Sequence, residues 1–114
     1  MSLVANLVEE AGIVTVVAGS ARDIVEEVGV PRFLFTDFPL GSPLGRPDAP
    51  EDQLENLRAA LTLAASAWAP RTTVQSPQVW GENGWRERFM RIDDPEALAR
   101  EGEARRARQA SEKA

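Results

Sequence analysis

The chain has no cysteine and no histidine among its 114 residues. Thiol chemistry, the usual metal ligands and the usual general base are therefore missing from its own side chains. No metal site and no catalytic residue is expected, although carboxylate chemistry stays open. Basic residues are also scarce. Thirteen Lys and Arg against 18 Asp and Glu leave a net charge of −5, and a nucleic-acid surface needs a basic face. No apolar run reaches the length of a membrane span, and Met1–Gly12 holds two acids without a basic start. Neither a span nor a signal peptide is expected, and the cytoplasm is the expected compartment.

What is present fits one small domain with a modest core. Ser2–Glu10 carries Leu3, Val4, Leu7 and Val8 on one helical stripe, with Glu9 and Glu10 outside it. Gly12 sits at a helix end, and Ile13–Ala18 reads as a parallel strand buried on both faces. Ser20 is a good N-cap for a second helix carrying Ile24, Val25 and Val28, which Gly29 ends. Arg32–Thr36 is the next strand. Pro50-Glu51-Asp52 opens a long helix whose Leu54, Leu57, Leu61, Ala64 and Trp68 recur every three or four residues, so this stripe is the expected core face. The order is helix-strand-helix-strand-loop-helix, an α/β arrangement with parallel strands.

Three segments divide the chain: an α/β unit over 1–70, an irregular stretch over 71–94, and a charged tail over 95–114. Within the second, Trp80 and Trp85 flank a Gly81–Gly84 turn. Two large rings in a glycine-flanked loop cover either the body of this domain or another chain. A subunit interface is preferred, because so small a domain has little surface that needs such a cover. The tail is rich in Ala, Glu and Arg, with no large apolar residue except Leu98, so a solvated or frayed helix is expected.

The loop after the second strand concentrates the candidate chemistry. Pro39–Pro47 packs three prolines and two glycines into nine residues, which fixes a loop in one shape. In a parallel sheet Gly19-Ser20 and Thr36-Asp37 both end strands on the edge that this loop occupies, where α/β proteins hold ligands. Free N–H groups at Gly19-Ser20 can hold an anion, or Ser20 is a plain cap. Asp37 can pair with an ammonium, orient Arg46, or cap the loop. Arg46 can grip a carboxylate in bidentate fashion, or lie solvated on the surface. A rigid connector is the alternative reading of the whole loop.

Three elements carry a family resemblance: Ala11-Gly12-Ile13 entering a strand, Val28-Gly29 to Pro31-Arg32 before the next, and Phe38-Pro39-Leu40-Gly41-Ser42-Pro43. With Leu57-Arg58 and Ala60-Leu61 in the following helix, they resemble the C-terminal part of selenoprotein B of the glycine/sarcosine/betaine reductases and its D-proline reductase relatives. The resemblance runs from about Leu3 to Ala67 and implies a flavodoxin-like parallel-sheet fragment. It also implies reductive cleavage of a carbon–heteroatom bond by a selenol or thiol. The family's redox motif falls just before the place where Met1 stands, and no residue here inherits it. The expectation is a small subunit of a hetero-oligomeric reductase whose partner completes the fold and supplies the Cys or selenocysteine. The substrate, a small molecule, would meet Gly19, Ser20, Asp37, Leu40, Gly41, Ser42, Gly45 and Arg46. This chain would hold no cofactor. The alternative is a non-catalytic binding or scaffolding module that kept the fold without the chemistry.

Overall fold

The computed structural model describes residues 1–81, 84–88 and 94–112. Helix α1 (Ser2–Glu10), strand β1 (Val17–Gly19), helix α2 (Arg22–Val28), strand β2 (Arg32–Phe35), helix α3 (Pro50–Ser66) and strand β3 (Thr72–Gln75) follow in order. Helices α4 (Trp85–Arg88) and α5 (Pro95–Glu112) complete the described chain. The strands form one parallel sheet in the order β1-β2-β3, an α/β fold as the alternation of helix and strand requires. The third strand lies in the stretch expected to be irregular. Thr72-Thr73-Val74-Gln75 has three polar residues in four, so no apolar run announces it. Its place is set by pairing, from Arg32 opposite Thr72 to Phe35 opposite Gln75.

Strand β2 is the centre of the molecule. Successive side chains point to opposite faces, so Phe33 and Phe35 share one face while Leu34 and Thr36 share the other. Phe33, Leu34 and Thr36 are fully buried. Arg22 of α2 lies over the Phe35 ring, 5.6 Å from its centroid. Helix α3 reaches the sheet beyond β3, where the Ser76 hydroxyl donates to Asn56 Oδ1 at 2.6 Å.

Three sequence expectations for the first two helices and the first strand are corrected. Ile13–Ala18 is not a strand buried on both faces: pairing starts at Val17, Val17–Gly19 is half-buried, and Ile13 and Val14 are exposed. The cause is that β1 is an edge strand beside a four-residue neighbour, so residues 13–16 have nothing to pair with. On α1 the buried residue is Ala5, whereas Leu3, Val4 and Leu7 face solvent. Polar contacts at its C-terminal half attach this helix instead. Asn6 donates to Gly29 O at 2.8 Å, and Glu9 Oε1 accepts from Thr15 Oγ1 at 3.0 Å and from Arg32 Nη1 at 2.6 Å. Ser20 does not cap α2; the N-cap is Ala21, without a side-chain cap bond.

Helix α3 also turns a different face inward. Asn56 and Leu63 are buried, with Ala59, Ala60 and Ala67 half-buried beside them. Of the expected core stripe, Leu54, Leu57 and Leu61 are exposed, as is Trp68 beyond the helix end, and only Ala64 is half-buried. The face turned inward carries Asn56, whose amide pairs with Ser76 and Leu44 O, and one leucine, Leu63, among half-buried alanines. In helix α5, residues 95–97 and 99–111 are exposed apart from half-buried Gly102. Residues 82 and 83 of the expected turn, and 113–114 of the tail, lie outside the described residues.

Candidate functional site

Three strand ends share one edge. Gly19 ends β1 and leads to Ser20, Thr36-Asp37 follows β2, and Ser76-Pro77-Gln78 follows β3. Parallel pairing brings them together, since Gly19 faces Phe35 and Phe35 faces Gln75. The backbone N–H of Thr36 donates to Gly19 O at 3.0 Å and that of Ser76 to Phe35 O at 2.8 Å, extending each ladder to the rim.

Over this rim lies a cleft of about 480 Å³, whose lining includes Ser20, Ile24, Asp37, Leu40 and Trp85. A second cleft of about 410 Å³ opens toward Ser76 and Gln78. Asp37, Trp85 and Arg86 form the wall between the two. Arg86 donates to Asp37 Oδ2, and its guanidinium stacks over the Trp85 ring at 4.8 Å. The cleft thus pairs an apolar floor with two carboxylates, Asp23 and Asp37, and one guanidinium, and the Asp37–Arg86 pair is partly open to solvent. Such a set can bind a small ligand carrying both charge and hydrocarbon.

The loop between β2 and α3 is held from two sides. Buried Thr36 donates its hydroxyl to Pro43 O at 2.7 Å, and buried Asn56 donates to Leu44 O at 2.9 Å. Asn56 also donates to Gln78 Oε1 at 2.7 Å, tying the loop, α3 and the segment after β3 into one network. Gly41 and Gly45 have φ of +98° and +141°, values that L residues rarely adopt.

The expected residues divide into groups. Ser20, Asp37 and Leu40 meet in the larger cleft, and Gly19 stands at the strand end behind them. Gly41 and Ser42 lie on the loop beyond it. Gly45 packs against Asp52 and Gln53, where an added Cβ would come to 3.3 Å. Arg46 is bound to Asp52 at 2.7 Å, and that hydrogen bond and charge raise its pKa further. It faces a separate small cavity with Phe38 and Trp80, so the cation beside Asp37 is Arg86. Trp80 packs on Phe38 with ring centroids 5.3 Å apart, while Trp85 lines both clefts. Sequence reasoning missed Arg86 because 49 residues separate it from Asp37. Its place next to Trp85 was the available signal.

Fold and rim define a small parallel α/β protein with a charged and apolar cleft at the carboxyl edge of its sheet. No protein-family model, curated protein or solved structure matches the chain.

Proposed function

We propose that this chain is the smaller subunit of a hetero-oligomeric, cytoplasmic reductase and shapes the substrate end of its site. A second polypeptide supplies the Cys or selenocysteine that cleaves a carbon–heteroatom bond, and completes a flavodoxin-like sheet. The observation that carries the reading is the meeting of Ser20, Asp37 and Leu40 in one cleft of small-molecule size at the carboxyl edge. The resemblance of the Phe38–Pro43 loop to the selenoprotein B family gives the reaction class. The apolar exposure of α1, Ile13 and Val14 supports a partner, because contiguous apolar surface marks interaction sites. Trp80 and Trp85, at the carboxyl edge of the sheet, are the aromatic residues assigned to the contact with the partner there. The chain carries no thiol, so the two electrons for bond cleavage come from the partner.

The test is reconstitution. Protein recovered with the natively tagged chain is identified by mass spectrometry, and reductive release of the substituted amine from N-substituted amino acids is assayed with each component alone and together. Activity is expected only in the mixture, and prior alkylation of the partner should abolish it while alkylation of this chain has no effect. Turnover by this chain alone defeats the reading. A mixture without turnover that still binds the same small molecules points to the binding module.

A further inference from the structure

We infer that a second ligand site lies at the amino edge of the sheet, where the Arg71 guanidinium receives a small monocarboxylate with a hydrocarbon body. Arg71 directly precedes β3 and has φ of +60°. That conformation strains the backbone of an L residue, whereas glycine takes it freely. The Thr72 hydroxyl closes the turn by donating to Ala69 O at 2.6 Å. The guanidinium packs against Gly29, where an added Cβ would stand 2.8 Å from its Nη2. A strained turn and a position without a side chain thus combine to hold one charge in place. Among the described residues this guanidinium makes no hydrogen bond or ion pair.

The surroundings select the ligand. Arg71 lines a cavity of about 570 Å³ between the C-terminal half of α1 and the segment leading into β2, a size that suits a small molecule. Val28, Pro31 and Pro70 give it apolar walls, and Glu9 and Glu10 stand on the α1 side. Glu9 is occupied by Thr15 and Arg32. Glu26, which shares a smaller cavity with Arg71, is bound to Arg22. No ion pair joins Glu10 to Arg71. A guanidinium grips a carboxylate through two parallel N–H donors. A ligand with one carboxylate meets Arg71 and lays its hydrocarbon on the valine and prolines. A second negative charge on the ligand would face Glu9 and Glu10, and like charges brought together exclude it. The cavity shares no lining residue with the two rim clefts, so the site stands whether or not the chain belongs to a reductase.

Amide NMR of the isotope-labelled full chain, with no other protein present, tests it. Titration with hexanoate should give saturable shifts at Gly29, at Arg71 and at the Arg71 side-chain N–H, and none at Gly19, Ser20 or Asp37. Hexanedioate, the same carbon chain with a second carboxylate, and inorganic phosphate should bind about tenfold more weakly. Arg71→Gly should raise the hexanoate Kd by about tenfold or more. The same variant should keep or raise the midpoint of urea unfolding, because glycine suits that φ. Shifts that do not saturate, shifts confined to the rim, or dianions that bind as tightly as hexanoate overturn the inference. So does an Arg71→Gly chain that keeps its affinity, or one that loses stability, since Arg71 would then serve to hold the fold.

Discussion

Asn56 is the residue on which most of the local structure depends. It is buried to 1% exposure, and its amide serves Leu44 O, Gln78 Oε1 and the Ser76 hydroxyl at once. Asn56→Ala removes the side chain and leaves Leu44 O, Gln78 Oε1 and the Ser76 O–H without that partner near the core, although the Ser76 oxygen still accepts from Gln78 N–H at 3.3 Å. Each unsatisfied buried polar group costs about 1–3 kcal/mol, and solvent reaching the rim reduces the sum. A loss of about 2–4 kcal/mol is expected, read by urea unfolding followed through tryptophan emission. A change under 1 kcal/mol would mean that water replaces the amide. Position 41 offers a contrast with position 45 on the same loop. Both glycines have positive φ, but a Cβ at Gly41 meets nothing within 4 Å whereas one at Gly45 meets Asp52 and Gln53 at 3.3 Å. Gly45→Ala should therefore destabilise more than Gly41→Ala in the same titration.

At the scale of elements, α1 is held by a carboxylate. Glu9 Oε1 accepts hydrogen bonds from Thr15 and Arg32, and a backbone N–H of Thr15 is the main cause that holds its pKa below the ordinary glutamate value. A carboxyl whose folded pKa is depressed stabilises the fold above its unfolded pKa, about 4.3. That contribution disappears as pH falls through the folded value. Glu9→Gln should therefore be less stable than wild type at pH 7, and the difference should shrink on acidification below about pH 4. Unfolding curves of the two proteins across this range check it; a constant difference would rule out ionisation as the cause.

The elements also mark what could be read from the sequence. The alternation of helix and strand, the strand Arg32–Phe35 and the start of α3 at Pro50 were legible because caps, breakers and an apolar run all coincide there. Strand β3 was not, because hydrogen bonds to β2 rather than apolar side chains hold Thr72–Gln75 in place. The stripe of α3 was legible as a stripe, but periodicity does not say which of two faces meets the sheet. Asp37, Ser20 and Leu40 could be placed together from parallel topology alone. Arg86 could not, because no local pattern links it to a strand end 49 residues away.

The whole molecule exposes more surface than a compact chain of its mass. Its accessible area is 8637 Å², against about 6,200 Å² from the scaling for folded monomers at 12.5 kDa. The excess includes the apolar faces of α1 and α3 and the solvated helix α5. Unfolding a single chain thus uncovers about a fifth less new surface than for a compact one, and the urea m-value should fall by a similar fraction. A titration at high dilution checks this, and an m-value typical of a compact 114-residue domain would contradict it.

The two carbonyls that anchor the loop belong to neighbouring residues, Pro43 and Leu44, yet one is held by the strand side and the other by α3. Two successive peptide units, joined at the Leu44 Cα, therefore work as a rivet through two layers. Lengthening the chain by one residue between Thr36 and Pro43, or between Leu44 and Asn56, lets slack accumulate on one side while both fastenings persist. An insertion between Pro43 and Leu44 separates the fastenings themselves, so helix and sheet lose the part that keeps them in step.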